Sequence, residues 1–446
     1  MSARRVVVTG LGPVSPVGIG VTAFWNALLE GASGIRRIRA FDPASFASQI
    51  AGEIDGLKLA DFVPKAYRKA EKIMARDLVL AVAAAHQAVI DAGLRTKCVL
   101  ERGDAPGPAN LDSARFGANI GAGAICADLA ELAEALSSSA TDGLFSLARW
   151  GQEGMSNLTP LWLLKFLPNM LACHVTIVHD AQGPSNTITC GEASSHLAIG
   201  EAFRSITRGV ADVCICGGAE SKANPMALLR QELAGRLSRR NETPAAACRP
   251  FASDRDGTAV SENGGLVILE ELEHARARNA RIYAELIGFG AAHDACRADD
   301  LSAATPEGRG PALAMKKALR DANAQPQDVD LVCAFACGLP DRDSAEAAAI
   351  RTVFGDPGPT VLSVKGNLGN SGAGSGAIDF IATVLSMVNS TIPPAINSAP
   401  VDPGCELKLN TSGKPIDARI ETAISNAYAL TGGQCASLVI RRWRSA

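Results

Sequence analysis

Residues 4–18 read Arg4-Arg5-Val-Val-Val-Thr-Gly-Leu-Gly-Pro-Val-Ser-Pro-Val-Gly18, a β-branched run followed by closely spaced glycines. Three consecutive valines predict a strand over 6–8. Glycines 10 and 12 directly after it suggest a nucleotide-binding turn. That suggestion fails at the third glycine, because Ser15 stands where Gly-x-Gly-x-x-Gly requires one. Nor does an acidic residue follow a second strand at the distance needed to hold a ribose. The stretch opens an α/β chain without supplying a dinucleotide site.

Working outward, short β-branched runs alternate with longer helical patterns. Helices are predicted over 23–29 and 69–92, a strand over 116–120, a strand near 187–189, a helix over 195–208 and strands over 213–216, 265–270 and 282–288. The rest repeats the rhythm: helix 312–322, strand 330–336, helix 345–354, strand 360–363, helix 377–387, and strands 424–426 and 437–441. The class is α/β. Two similar halves are expected to meet near 249–257, dividing the chain into 1–253 and 254–446. Residues 102–113, rich in Pro, Gly and Asp, read as a surface loop. Residues 135–157 read as a lid or interface excursion.

A chain of 446 residues is too long for one minimal core. Its 43 Lys plus Arg against 46 Asp plus Glu leave a net charge of −3, which gives no global pull toward nucleic acid or membrane. An acidic partner would need a local basic patch. No long apolar segment begins the chain, so a cytoplasmic location is expected. The 12 cysteines form no C-x-x-C pair and fall mostly in apolar stretches, as with Cys214, Cys216 and Cys333. They read as reduced core residues. The 6 histidines lack zinc-site spacing, so no metal is expected.

Further short motifs recur in a fixed order: Phe41-Asp42, Pro168-Asn-Met170, Gly183-Pro-Ser185, Gly217-Gly-Ala-Glu220, Arg249-Pro-Phe251, Asp254-Arg-Asp-Gly257, Tyr283-Ala-Glu-Leu-Ile-Gly-Phe-Gly290 and Ser363-Val-Lys365. Each is weak alone, but together with 4–18, in this order and spacing, they are specific. Over essentially its whole length the chain resembles the ketosynthases of the 3-oxoacyl-(acyl-carrier-protein) synthase II type. The resemblance implies the thiolase fold, two pseudo-symmetric α/β halves in a five-layer αβαβα arrangement, usually dimeric.

In that family a cysteine at a sharp strand-to-helix turn attacks the acyl thioester, its thiolate stabilised by the helix N-terminus. Matching Gly183-Pro-Ser185 to the family puts that position at Glu192, within Thr187-Ile-Thr-Cys-Gly-Glu-Ala-Ser-Ser195. Cys190 replaces the nucleophile only if the register shifts by two. Two family histidines stabilise developing charge by donating hydrogen bonds. The resemblance puts Cys337 and Asn370 at their positions, and Leu339-Pro340-Asp341-Arg342 where a Thr-Ser-Thr-Pro stretch is usual. Lys365 is retained, and Glu262 stands at an acidic family position. The family's final gating loop is here Asn426-Ala-Tyr-Ala-Leu-Thr-Gly-Gly-Gln434, with one extra residue and no phenylalanine.

A glutamate attacking a thioester would give a mixed anhydride, far less stable than a thioester acyl-enzyme, so normal chain loading is disfavoured. Glu192 precedes His196 by four residues, which pairs them on one face if the helix has begun by then. Otherwise Glu192 serves as an acidic cap. A carboxylate, a thiol and an amide converging at Glu192, Cys337 and Asn370 leave hydrolysis or decarboxylation open. The resemblance extends to chain-length factors, which lack the cysteine, typically carry Gln there and pair with an active ketosynthase. A non-condensing subunit that binds acyl chains is expected, the alternative being a homodimeric 3-oxoacyl-ACP synthase homologue with altered acyl-transfer, decarboxylase or hydrolase chemistry at Glu192 or Cys190. No cofactor is expected beyond the phosphopantetheine of an acyl carrier protein bearing the substrate. Lys65, Arg68, Lys69 and Lys72 fall in the family's carrier-docking region, and Arg236, Arg239 and Arg240 form a second basic cluster.

Overall fold

The computed structural model describes residues 4–294, 305 and 307–444. Five strands build the first sheet: β1 (Val6–Ser15), β2 (Phe116–Ala122), β3 (Ser185–Ile188), β4 (Val213–Ser221) and β5 (Val260–Glu271). Their order is β3-β2-β4-β5-β1, with the first two pairings parallel and the last two antiparallel. The second half supplies β6 (Ala284–His293), β7 (Leu331–Cys333), β8 (Thr360–Leu362), β9 (Lys408–Leu409), β10 (Thr422–Tyr428) and β11 (Gln434–Arg442). Apart from β9, an addition beyond β8, its order β8-β7-β10-β11-β6 repeats the same pattern of parallel and antiparallel pairs. An antiparallel ladder between β1 and β6 joins the two into one continuous sheet.

Helices α1 (Arg76–Asp91) and α2 (Met170–His179) cover the outer face of the first half, and α3 (Ser194–Thr207) its inner face. Helices α4 (Arg309–Asp321) and α5 (Pro340–Phe354) cover the outer side of the second, and α6 (Ser375–Asn389) its inner face. Because α3 and α6 touch each other and strands of both halves, the layers number five, the thiolase arrangement. Burial on all sides explains the composition of α6, which is buried without interruption from Ser375 to Met387.

The opening glycines now have a different reason. Gly10 and Gly12 lie inside β1, not in a turn, and a Cβ on either would come within 2.3 Å and 2.1 Å of the Ala88 and Ala84 carbonyl oxygens of α1. The second half solves the same problem the same way, with Gly288 and Gly290 of β6 against Ala318 and Ala314 of α4. Glycine on the strand and alanine on the helix let backbone meet backbone, which is close packing and not phosphate binding.

Several expected boundaries shift. The division at 253/254 falls ahead of β5, whose pairing with β1 and β4 keeps it in the first sheet, so the crossing to the second comes between residues 272 and 283. The helix expected over 69–92 begins at Arg76; 65–73 is a 3₁₀ helix, and Met74 and Ala75 are extended. The strand expected over 330–336 pairs only over Leu331–Cys333. Beyond it the Phe335 and Ala336 amides donate to the Glu346 carboxylate of α5, at 2.9 and 2.8 Å, instead of to a neighbouring strand. The excursion over 135–157 is a helix, a two-residue-stranded hairpin and a second short helix, with Leu144, Phe145, Leu147 and Met155 exposed. No helix among the described residues is long and apolar enough to cross a membrane.

Candidate active site

Between β3 and α3 the chain turns sharply. Gly191 takes φ +54°, a left-handed conformation that glycine adopts without penalty. Ser194 fastens the turn, its Oγ accepting the Cys190 amide at 2.8 Å and donating to the Gly191 carbonyl at 2.6 Å. Gly121 of β2 lies beneath, where a Cβ would sit 2.6 Å from the Ser195 nitrogen. This geometry points Glu192 into the protein, where it is 4% exposed.

Three donors hold that carboxylate. Lys222 Nζ lies 2.9 Å from Oε1, Asn370 Nδ2 lies 3.3 Å from the same oxygen, and the Leu430 amide donates to Oε2 at 2.9 Å. The Asn370 amide is oriented by its own oxygen, which accepts from the Gly372 amide and the Ser375 hydroxyl. Burial alone would raise the Glu192 carboxyl, but the Lys222 charge and the donated hydrogen bonds outweigh it and bring the pKa to about 2. Burial pulls the Lys222 ammonium down, yet Glu192 and Glu220 together raise it. The pair is therefore ionised at neutral pH. Glu220 accepts the Ala373 amide at 2.7 Å and is pushed up by burial despite the nearby lysine.

Glu192, Glu220 and Lys222 line a cavity of about 400 Å³ whose other walls include Cys126, Arg230 and Arg236. Cys126 also borders a larger cleft of about 750 Å³, which holds Arg76 and Glu262 and does not reach Glu192.

Two of the expected site residues, Glu192 and Asn370, meet. Cys337 is fully buried close by, but its hydrogen-bonded contacts run elsewhere: its amide donates to Asp343 and its carbonyl accepts from Cys248. Burial, then the charges of Asp343 and Glu192, push its thiol far up, so it is neutral and no substitute for a histidine donor. Lys365 is 1% exposed, paired with Asp379 and set 5.0 Å from the Phe335 ring. Glu262 accepts from Arg76 Nε and Nη2, from Ser221 Oγ and from the Ile54 amide. Cys190 is half-buried and does not line the cavity; the side chain joined to Asn370 is that of residue 192.

Neither expected local role of Glu192 is realised. Helix α3 starts only at Ser194, and His196 turns to Ser425, 2.9 Å away, while burial holds its pKa down to about 3. The N-cap, Ala193, makes no side-chain bond, and the amide that reaches Glu192 comes from Leu430, beyond β10. Among the described residues, no His/Cys/Asp/Glu cluster could hold a metal.

The basic residues divide. Lys65, Arg68, Lys69 and Lys72 are exposed, with no ion-pair partner among the described residues. Arg236 instead faces inward, donating to the Leu430 carbonyl at 2.9 Å and Thr431 Oγ1 at 2.8 Å, and Arg342 donates to the same carbonyl at 3.0 Å. Arg240 is bound to Asp254 and Asp256. Sequence reasoning missed Lys222 and the Leu430 amide. The available signal was a lysine two residues past Gly217-Gly-Ala-Glu220, at the buried end of a strand beside an acidic residue 192.

Residues 3–275 match the beta-ketoacyl synthase N-terminal domain and residues 283–399 its C-terminal domain. The chain belongs to the beta-ketoacyl synthase family. Its relatives include 3-oxoacyl-[acyl-carrier-protein] synthase 2 of Vibrio harveyi, 34% identical over 446 residues covering 99% of both chains. The Coxiella burnetii protein of the same name is 35% identical over 446 residues, again 99% of each. Among solved structures, the ishigamide ketosynthase/chain length factor superposes with a TM-score of 0.83 at 29% identity, covering 99% of this chain and 100% of that one. A type II PKS acyl-carrier protein in complex with its ketosynthase, bound to the hexaketide, gives 0.83 at 30% identity with the same coverage. The family is that of the ketosynthases of fatty acid and polyketide biosynthesis.

Proposed function

We propose that this chain is a non-condensing subunit resembling a chain-length factor, which binds acyl chains in the cytoplasm and pairs with an active ketosynthase. The observation that carries the reading is the Lys222–Glu192 ion pair at the position the resemblance gives to the nucleophile. A carboxylate held by three donors is a weak nucleophile, and the acyl-enzyme it would form is an anhydride. The two charge-stabilising positions carry a neutral buried thiol and an amide already bonded to Glu192. Pairing is supported by the outer edge of β3, which is hydrogen-bonded on one side only, and by the apolar side chains exposed over 144–163. The acyl group would arrive on the phosphopantetheine of an acyl carrier protein, whose acidic surface suits Lys65, Arg68, Lys69 and Lys72.

Incubation with acyl- and malonyl-carrier proteins, followed by mass spectrometry, tests the reading. No acyl loading, CO₂ release or free acid is expected from the chain alone. Turnover abolished by Glu192→Ala would overturn it in favour of the second reading, a homodimeric 3-oxoacyl-ACP synthase homologue with hydrolase or decarboxylase chemistry, which the open cavity beside Glu192 favours. A stable homodimer that never pairs with a cysteine-bearing homologue would end the chain-length-factor assignment.

A further inference from the structure

The larger cleft, of about 750 Å³, shares Cys126 with the cavity beside Glu192 and takes the rest of its wall from elsewhere. Its volume falls within the roughly 300–1,000 Å³ usual for small-molecule sites. Phe41, Met74, Leu129 and Phe166 give it apolar walls. Its charges do not balance. Each of its three wall cations is taken by a wall carboxylate: Arg39 by Asp55 at 2.6 Å, Arg76 by Glu262 at 2.8 Å and Lys165 by Glu131. Glu53, Asp77 and Asp128 are left over. Glu53 leans on Arg36, outside the wall, at 3.5 Å, whereas Asp77 and Asp128 have no ion-pair partner among the described residues.

Asp77 is the informative member. It stands in the first turn of α1 and lines the cleft, yet it is only 4% exposed. Its Oδ1 accepts the Ser221 amide at 3.0 Å, and Oδ2 receives no hydrogen bond from any other described residue. Burial pushes its carboxyl up to about 7, aided by the charges of Glu220 and Glu262 and opposed by the Ser221 amide. The neighbouring Arg76 is already engaged by Glu262. A buried carboxylate short of a counter-ion favours any ligand that brings one. Asp128 adds negative charge on the exposed side, where it caps the helix Leu129–Ser138 by accepting the Ala130 amide at 2.7 Å.

We propose that this cleft is a binding site for a small organic ammonium ion with an apolar body, the ammonium set against Asp77 and Asp128 and the body against Phe41, Met74, Leu129 and Phe166. The site stands apart from the Glu192 cavity and does not depend on what that cavity does. The apolar side chains exposed over 144–163, assigned above to pairing, form no part of its wall.

Titration calorimetry of the full chain with octylammonium, octanol and octanoate tests it, since the three probes share one apolar body and differ in charge. Octylammonium should bind tightest, about tenfold or more ahead of octanoate, with octanol between them. Because the ammonium favours ionised Asp77, its binding at pH 7 should release up to about half a proton, read from the heats in two buffers, and affinity should rise from pH 6 to 8. Asp77→Asn keeps an acceptor for the Ser221 amide; it should abolish the proton release and weaken binding about ten- to hundredfold, the worth of a hydrogen bond between charged groups. Asp128→Asn, an exposed change that still caps its helix, should weaken binding about two- to fivefold and lower its salt dependence, which keeps the test decisive if Asp77→Asn disturbs folding. No binding of octylammonium, equal or tighter binding of octanol or octanoate, or affinity and proton release unchanged in both variants would each overturn the proposal.

Discussion

Two lysine–carboxylate pairs are buried in this fold, Lys222 with Glu192 and Lys365 with Asp379, and their carboxyls move in opposite directions. Glu192 falls to about 2, whereas Asp379 is raised by burial to about 6 although its lysine is as close. The difference lies in the remaining oxygens. Glu192 also receives the Asn370 amide and the Leu430 N–H, while Asp379 Oδ1 has no hydrogen-bond partner among the described residues. One counter-ion leaves a buried carboxylate easier to protonate than in water; donors to both oxygens keep it charged further into acid.

Removing each lysine gives the largest separation between the pairs. Lys222→Met leaves an ionised Glu192 buried without its counter-ion and is expected to cost about 3–5 kcal/mol, the range for breaking a buried pair. Lys365→Met removes the charge that lowers a carboxyl already raised to about 6, so that carboxyl takes up a proton at pH 7 and about 1–3 kcal/mol is expected, the cost of an unsatisfied polar group. Urea unfolding at pH 7 measures both. Equal costs, or the reverse order, would break the comparison.

Acid separates the pairs next. Glu192 is depressed below its ordinary 4.5, so its contribution is complete above that pH and is lost as the pH falls toward 2. Asp379 is raised above its ordinary 3.8, so the folded state holds the proton more tightly and stability rises as the pH falls from about 6 toward 4. Asp77 and Glu346, both raised by burial to about 7, act in the same direction as Asp379, so the difference from a variant is the measure. Asp379→Asn should remove part of the rise between pH 6 and 4. Glu192→Gln should flatten the fall below 4.5 and leave the upper range unchanged.

The comparison also marks where sequence reading reached its limit. Alternating strands and helices along the chain revealed two α/β halves, because those patterns are local. Gly10 and Gly12 were visible but their partners, Ala88 and Ala84 of α1, were not, so a packing motif resembled a phosphate turn. Position 192 could be counted from Gly183-Pro-Ser185, and Asn370 from Lys365. Lys222 and Leu430, 30 and 238 residues from Glu192, reach it only through the sheet order and the closing loop. Arg236 read as surface charge for the same reason: nothing near it in sequence reveals the loop it binds.

That loop supplies the smallest and most local test. The Leu430 peptide is held from both sides, its N–H by Glu192 and its carbonyl by Arg236 and Arg342. Arg236→Ala removes one of two donors to the carbonyl and the bond to Thr431, so a loss of under about 1 kcal/mol is expected, with no change in the pH dependence assigned to Asp379. Hydrogen exchange at the Leu430 amide reads the effect directly, since faster exchange means that the third donor to Glu192 opens more often. In the Arg236→Ala protein the exchange should quicken and the loss below pH 4.5 should begin slightly higher. Unchanged exchange would assign the clamp to Arg342 alone, leaving Lys222 and Asn370 to account for the contrast between the two pairs.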